Sequence, residues 1–196
     1  MPGVALYKSE AEGTVRDVQQ SQFVDAVHAL AAPHGAVTHL KLQKLVFYAY
    51  GAVVARALAE HVEPLAFEAW KHGPVHTATW NRYRGSGKEA LAVPLRPRVP
   101  ESVLAAIDDA TVVYGRLDAW ELREESHRER PWKDAFDAGL AAIDPVALER
   151  HFKSKFERDY KAPDALGAGS AALDGIPSPT YPSLAAFASI LRSRRG

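Results

Sequence analysis

The chain has no cysteine and only one methionine in its 196 residues. Disulfides, thiolate nucleophiles and cysteine-ligated zinc are therefore excluded. Net charge is missing as well, because 24 Lys+Arg balance 24 Asp+Glu. Without a broad positive field a general nucleic-acid binder is disfavoured, although a local basic patch stays open. No stretch approaches the roughly 18 uninterrupted apolar residues of a membrane span. The opening MPGVALYKSEAEG lacks the basic-then-apolar order of a secretory signal. These absences predict a cytoplasmic protein with no membrane partner. Catalytic signatures are missing too: there is no GxSxG turn, phosphate-cradling glycine loop or dinucleotide fingerprint. Gly85-Ser86-Gly87-Lys88 lacks the earlier glycine and the buried strand that a phosphate loop needs. No catalytic residue, metal or cofactor is expected.

What is present suits one mostly α-helical domain. The hydrophobic share is 47%, enough for a core. Helical spacing of Phe23, Ala26, Val27 and Leu30 predicts a first helix over about residues 17–32, with Thr14 and Asp17 at capping-box distance. Thr38 is a natural cap for a second helix running to about residue 59. That helix is apolar on most sides, which predicts a central, buried position. Its one polar stripe is Lys41, Lys44 and Tyr48, continued by the small residues Gly51, Ala52 and Ala55. Around Leu65, Phe67 and Ala69 the sequence alternates, predicting a short extended or two-stranded element that turns at Gly73. Pro74 would then sit in the first turn of a helix reaching residue 83 or 84. Residues 91–99, with nearby prolines, are expected to be extended, as an edge strand. Further helices are expected after Pro100, Asp118, Pro131 and the Asp144-Pro145 pair.

After about residue 161 the composition shifts to Ala, Gly, Ser and Pro, predicting a linker. The end, YPSLAAFASILRSRRG, regains Leu184, Phe187, Ile190 and Leu191 and finishes basic, as a short docking segment would. The expected division is a helical domain at 1–160 and a tail at 161–196.

Three blocks carry a family resemblance. THLKLQKLVFYAYG at residues 38–51 and FEAWKHGPV at 67–75 resemble signature segments of the SocA-like antitoxin (Panacea domain) family. The third block is Tyr114-Gly115 followed by SHRERPW at 126–132. The resemblance implies a non-enzymatic antitoxin that binds and neutralises a cognate protein toxin. It further implies an adaptor that delivers the toxin to a Clp-type ATP-dependent protease. The chain departs from the pattern at residues 76–80, His-Thr-Ala-Thr-Trp, where the family commonly has a bulkier aliphatic helix. The toxin's identity and the oligomeric state stay open.

The expected partner-binding residues are Lys41, Lys44, Tyr48, Trp70, Lys71, His72, Pro74, Trp80 and Tyr83. Aromatic anchors on a turn and a lysine–tyrosine stripe are the side chains that interfaces favour. His127, Glu129 and Trp132 are expected to form a structural polar network. A competing reading is a small metal-dependent hydrolase using His72, His76 and His127 with Glu125 or Glu129. His72 and His76 have zinc-compatible spacing, but Gly73 and Pro74 stand between them and no HExxH glutamate is present. A DNA-binding autorepressor is the other alternative, weakened by neutral charge and by the lack of a helix-turn-helix.

Overall fold

The computed structural model describes residues 18–160; the Thr14 cap and the tail segment lie outside them. The described residues form seven α-helices and one two-stranded antiparallel sheet. In order these are α1 (Gln20–Ala31), α2 (His39–Ala55), β1 (Glu68–Trp70), β2 (Gly73–Val75), α3 (Thr77–Tyr83), α4 (Glu101–Tyr114), α5 (Ala119–His127), α6 (Arg130–Asp137) and α7 (Pro145–Tyr160). The mostly helical class expected from the pattern is what the chain adopts.

Helix α2 occupies the centre, as its all-round apolarity requires, and packs against α1, α4, α5 and α7. Thr38 caps it, its hydroxyl accepting from the Lys41 amide at 3.3 Å. The helix ends earlier than the expected residue 59, because Ala57 turns left-handed at φ 57°. An Arg56–Asp109 ion pair ties its end to α4. Helix α1 starts later than its periodicity suggests: Gln19 and Gln22 make the capping box, and Val18 bridges to Val62. Asp118 caps α5 in a box with Glu121, as expected.

The small end of the α2 stripe is filled from within the chain. A side chain at Gly51 would put its Cβ 2.6 Å from three ring atoms of Phe152, so the α7 ring lies directly on the α2 backbone. Phe152 is fully buried and meets Phe47 edge-on at 5.3 Å.

Three expectations are corrected. Gly73 and Pro74 do not turn into a helix; they form β2, with Glu68 opposite Val75, Ala69 opposite Pro74 and Trp70 opposite Gly73. The two-residue turn is therefore Lys71-His72, and the helix waits until Thr77, with His76 at its cap. Gly73 sits at φ +93°, which glycine alone adopts freely, and Pro74 lies on a two-stranded edge that needs no donor from it. Residues 91–99 form no strand; the only bridge there pairs Ala90 with Thr38.

The third correction concerns Lys41, Lys44 and Tyr48, which are buried rather than exposed. The polar stripe of α2 is covered by α5, α7 and the β-hairpin instead of water or a partner. Long amphipathic side chains allow this, because their stems pack as apolar surface while their tips find internal acceptors.

Candidate functional site

The three sequence blocks converge on one junction. From α2, the fully buried Lys44 ammonium donates to the Pro74 carbonyl at 2.8 Å. Gln43 clamps the end of the hairpin, accepting from the His76 amide at 2.9 Å and donating to its carbonyl at 3.3 Å. From the third block, the Trp132 indole donates to the Trp70 carbonyl at 3.0 Å. A Cβ on Gly73 would lie 2.5 Å from the Ser126 hydroxyl oxygen and 2.9 Å from the Lys44 nitrogen. Glycine is thus required twice over, by space and by backbone angle.

Burial, and secondarily the Arg123 charge, pull Lys44 down to about 7 from a lysine's ordinary 10.5. The unfolded chain therefore binds more protons than the folded one between those values. Stability should rise with pH over that window, by up to about 1.4 kcal/mol per unit. Lys44→Met should flatten the rise; urea midpoints at pH 7, 8 and 9 check it, and an unchanged slope would contradict the assignment. Below pH 6.5 the histidines act in the same direction. Burial lowers His28, His76 and His127, the last to about 4, so each disfavours folding as protons become available.

A second polar cluster lies beside the first. Glu129, the α6 cap residue, is buried and accepts from His151 Nε2 at 2.6 Å and from Lys155. Lys155 lies over the rings of Tyr48 and Tyr114, which stack at 3.8 Å. Burial pushes Glu129 up, but His151 and Lys155 outweigh it and hold the carboxyl below its usual range. Burial opposes the Lys155 charge, yet Tyr114 and Glu129 raise its pKa. Burial, with Glu129 close by, drives Tyr48 well up, so its hydroxyl stays neutral.

The expected His127, Glu129 and Trp132 set divides between these clusters. His127 stacks on Trp132 at 4.0 Å, and Phe136 continues the stack at 4.9 Å. Glu129 instead joins His151 and Lys155, which sequence reasoning missed. Their spacing on α7, i and i+4, was the available signal, but only the fold aims them at α6.

Of the expected partner-binding residues, Lys41, Lys44, Tyr48 and Pro74 are therefore unavailable to a partner. Lys71 and His72 are exposed at the hairpin tip. Trp70 and Trp80 are half-buried with ring centroids 5.3 Å apart, and Arg84 lies over Trp80 at 5.2 Å. Tyr83 is half-buried on α3 and lies near His39. One residue was missed: Trp120, 60% exposed, meets the His72 ring edge-on at 6.2 Å. Arg123 links them, donating to His72 Nδ1 at 3.2 Å and lying 5.7 Å over Trp120.

His72, His76 and His127 do not assemble into a metal centre. His76 commits Nδ1 to Thr79 and Nε2 to Gln20, while His127 stacks on Trp132. Among the described residues no group of three or more His, Cys, Asp and Glu side chains is placed to hold a metal ion. Nor, among those residues, is any helix long and apolar enough to cross a membrane. A groove of about 570 Å³ opens along Arg130, Asp134, Asp144, Arg150 and His151, with both charge signs on its walls.

Comparison with known proteins finds a family match that spans this junction. No solved structure matches the chain. Antitoxin SocA of Caulobacter vibrioides (strain NA1000 / CB15N) is 29% identical over 126 residues, covering 56% of this chain and 63% of the relative. The match thus spans less than two thirds of that relative's length. The family model for the SocA-like antitoxin, Panacea domain, matches residues 42–133, which contain Lys44, Gly73, Pro74, Ser126 and Trp132. Over residues 42–133, a little under half of its length, the chain is similar to the Panacea domain of the SocA-like antitoxins.

Proposed function

We propose that the protein is an antitoxin that neutralises a cognate protein toxin by direct contact, without catalysis of its own. The contact patch is the hairpin tip and its aromatic neighbours: Trp70, Lys71, His72, Trp80 and Trp120. The observation that carries this reading is Trp120, a large apolar ring left mostly in solvent beside an exposed two-residue turn. Exposed aromatics at the centre of a patch supply most of the energy of typical interfaces. The rigid framework below it, anchored through Trp132 and Lys44, lowers the ordering cost of docking. Lys41, Lys44, Tyr48 and Pro74 act from beneath, by holding the hairpin and α5 in place.

The test is co-expression with the toxin encoded beside this gene. Trp120→Ala with His72→Ala should weaken the complex at least tenfold and abolish rescue of growth, with the circular dichroism spectrum unchanged. Full rescue by a folded double variant would remove the patch, and failure of the wild-type chain to rescue would remove the antitoxin reading itself.

The adaptor reading follows from the family resemblance and is proposed for residues 161–196, with residues 1–160 as the toxin-binding unit in the cytoplasm. Truncation after Lys161 should leave toxin binding intact while slowing toxin degradation by a Clp-type protease. Unchanged degradation would remove the adaptor role of the tail.

A further inference from the structure

Residues 91–100 show a three-residue rhythm. Leu91 is buried and Pro94, Pro97 and Pro100 are half-buried, whereas Ala92, Val93, Leu95, Arg96 and Arg98 are exposed. Val99, which tucks under the start of α4, is the one departure. A strand would alternate every second residue, while a polyproline-type helix repeats every third. Leu91 donates to the Val37 carbonyl, and among the described residues the backbone from 92 to 99 makes no further backbone hydrogen bond. Proline itself fixes the shape here, since it presets φ and removes donors.

The prolines lean on the domain, so the other two rows face outward. They carry Leu95, 95% exposed, and Val93, 58% exposed, interleaved with Arg96 and Arg98. Among the described residues neither arginine is ion-paired. A leucine so exposed, on a segment stiffened by three prolines, can be buried by docking at a low ordering cost.

We infer that residues 91–100 are a preformed polyproline-type rib that docks onto an acidic protein surface with an apolar slot. Leu95 and Val93 enter the slot, and carboxylates of the partner pair with Arg96 and Arg98. Charge selects the occupant. The chain's own last residues include Arg192, Arg194 and Arg195, which would repel the rib rather than cover it. This surface shares no residue with the Trp120 patch and stands whether or not that patch binds a toxin.

The experiment places a photo-reactive amino acid at position 95 of the full chain in its native host. The expected result is one dominant protein adduct whose cross-linked peptide carries Asp or Glu. Arg96→Glu with Arg98→Glu should cut its yield at least tenfold without shifting the thermal midpoint, and lysine at the partner's carboxylates should restore it. Adducts only with lipid, nucleic acid or a second copy of this chain would overturn the proposal. So would no adduct, or a yield indifferent to the charge reversals.

Discussion

Phe152→Ala should destabilise the protein by about 3–5 kcal/mol, a large share of the roughly 5–15 kcal/mol that holds an ordinary domain folded. Its ring is fully buried between Phe47 and Tyr48 and rests on the bare backbone of Gly51. Truncation leaves a cavity that the rigid α2 backbone cannot close. The reverse change is as damaging: Gly51→Val drives carbon into the ring plane, where even a Cβ would stand 2.6 Å from ring atoms. Helix propensity favours a larger residue at position 51 by less than about 1 kcal/mol, too little to offset that overlap. Pairing Gly51→Ala with Phe152→Leu should recover stability relative to the sum of the single changes. Urea unfolding of the four proteins measures the coupling; strict additivity would mean that the α2–α7 contact is not the constraint.

Glu129→Gln should cost about 3–5 kcal/mol, because it strands the buried Lys155 ammonium and the His151 ring. The double change Glu129→Leu with Lys155→Met removes both charges and should be much milder than the single one. The pH dependence has a defined sign. Glu129 is held below its ordinary pKa, so its contribution exists above about pH 4.5 and fades as pH falls through the folded value. Lys155 is raised, so its contribution exists below about 10.5 and is lost at higher pH. The penalty of Glu129→Gln should therefore shrink on acidification and be largest at neutral pH. A penalty constant from pH 3 to pH 7 would show that the carboxylate charge is not what matters.

Much of this architecture was legible residue by residue. Thr38, Asp118 and the Asp144-Pro145 pair marked helix starts correctly, because a cap acts within three or four residues of itself. The apolarity of α2 announced its central position for an equally direct reason: nothing on it favours water. The hairpin was visible as alternation, but its turn was misplaced by two residues. Gly73 reads as a turn residue from its type, whereas its need for glycine comes from its left-handed φ inside β2 and from Ser126 and Lys44 pressing on it.

The contact patch proposed above was only half legible. Lys71 and His72 were identified and are exposed, yet Trp120 passed unnoticed in a helix whose pattern is largely polar. A tryptophan's exposure depends on what its helix leans against, and no local signal records that.

By itself the sequence determined the helical class, the caps and the buried central helix, and it carried the three separated blocks that resemble the SocA-like antitoxins. Those properties arise from side-chain type and short-range spacing, which are written along the chain. The tertiary structure alone decided the fate of Lys41, Lys44 and Tyr48. A polar stripe faces water only if nothing covers it, and here α5, α7 and the hairpin do. Their covering contacts come from residues some 30 to 110 positions further along the chain, and spacing within one helix cannot encode them.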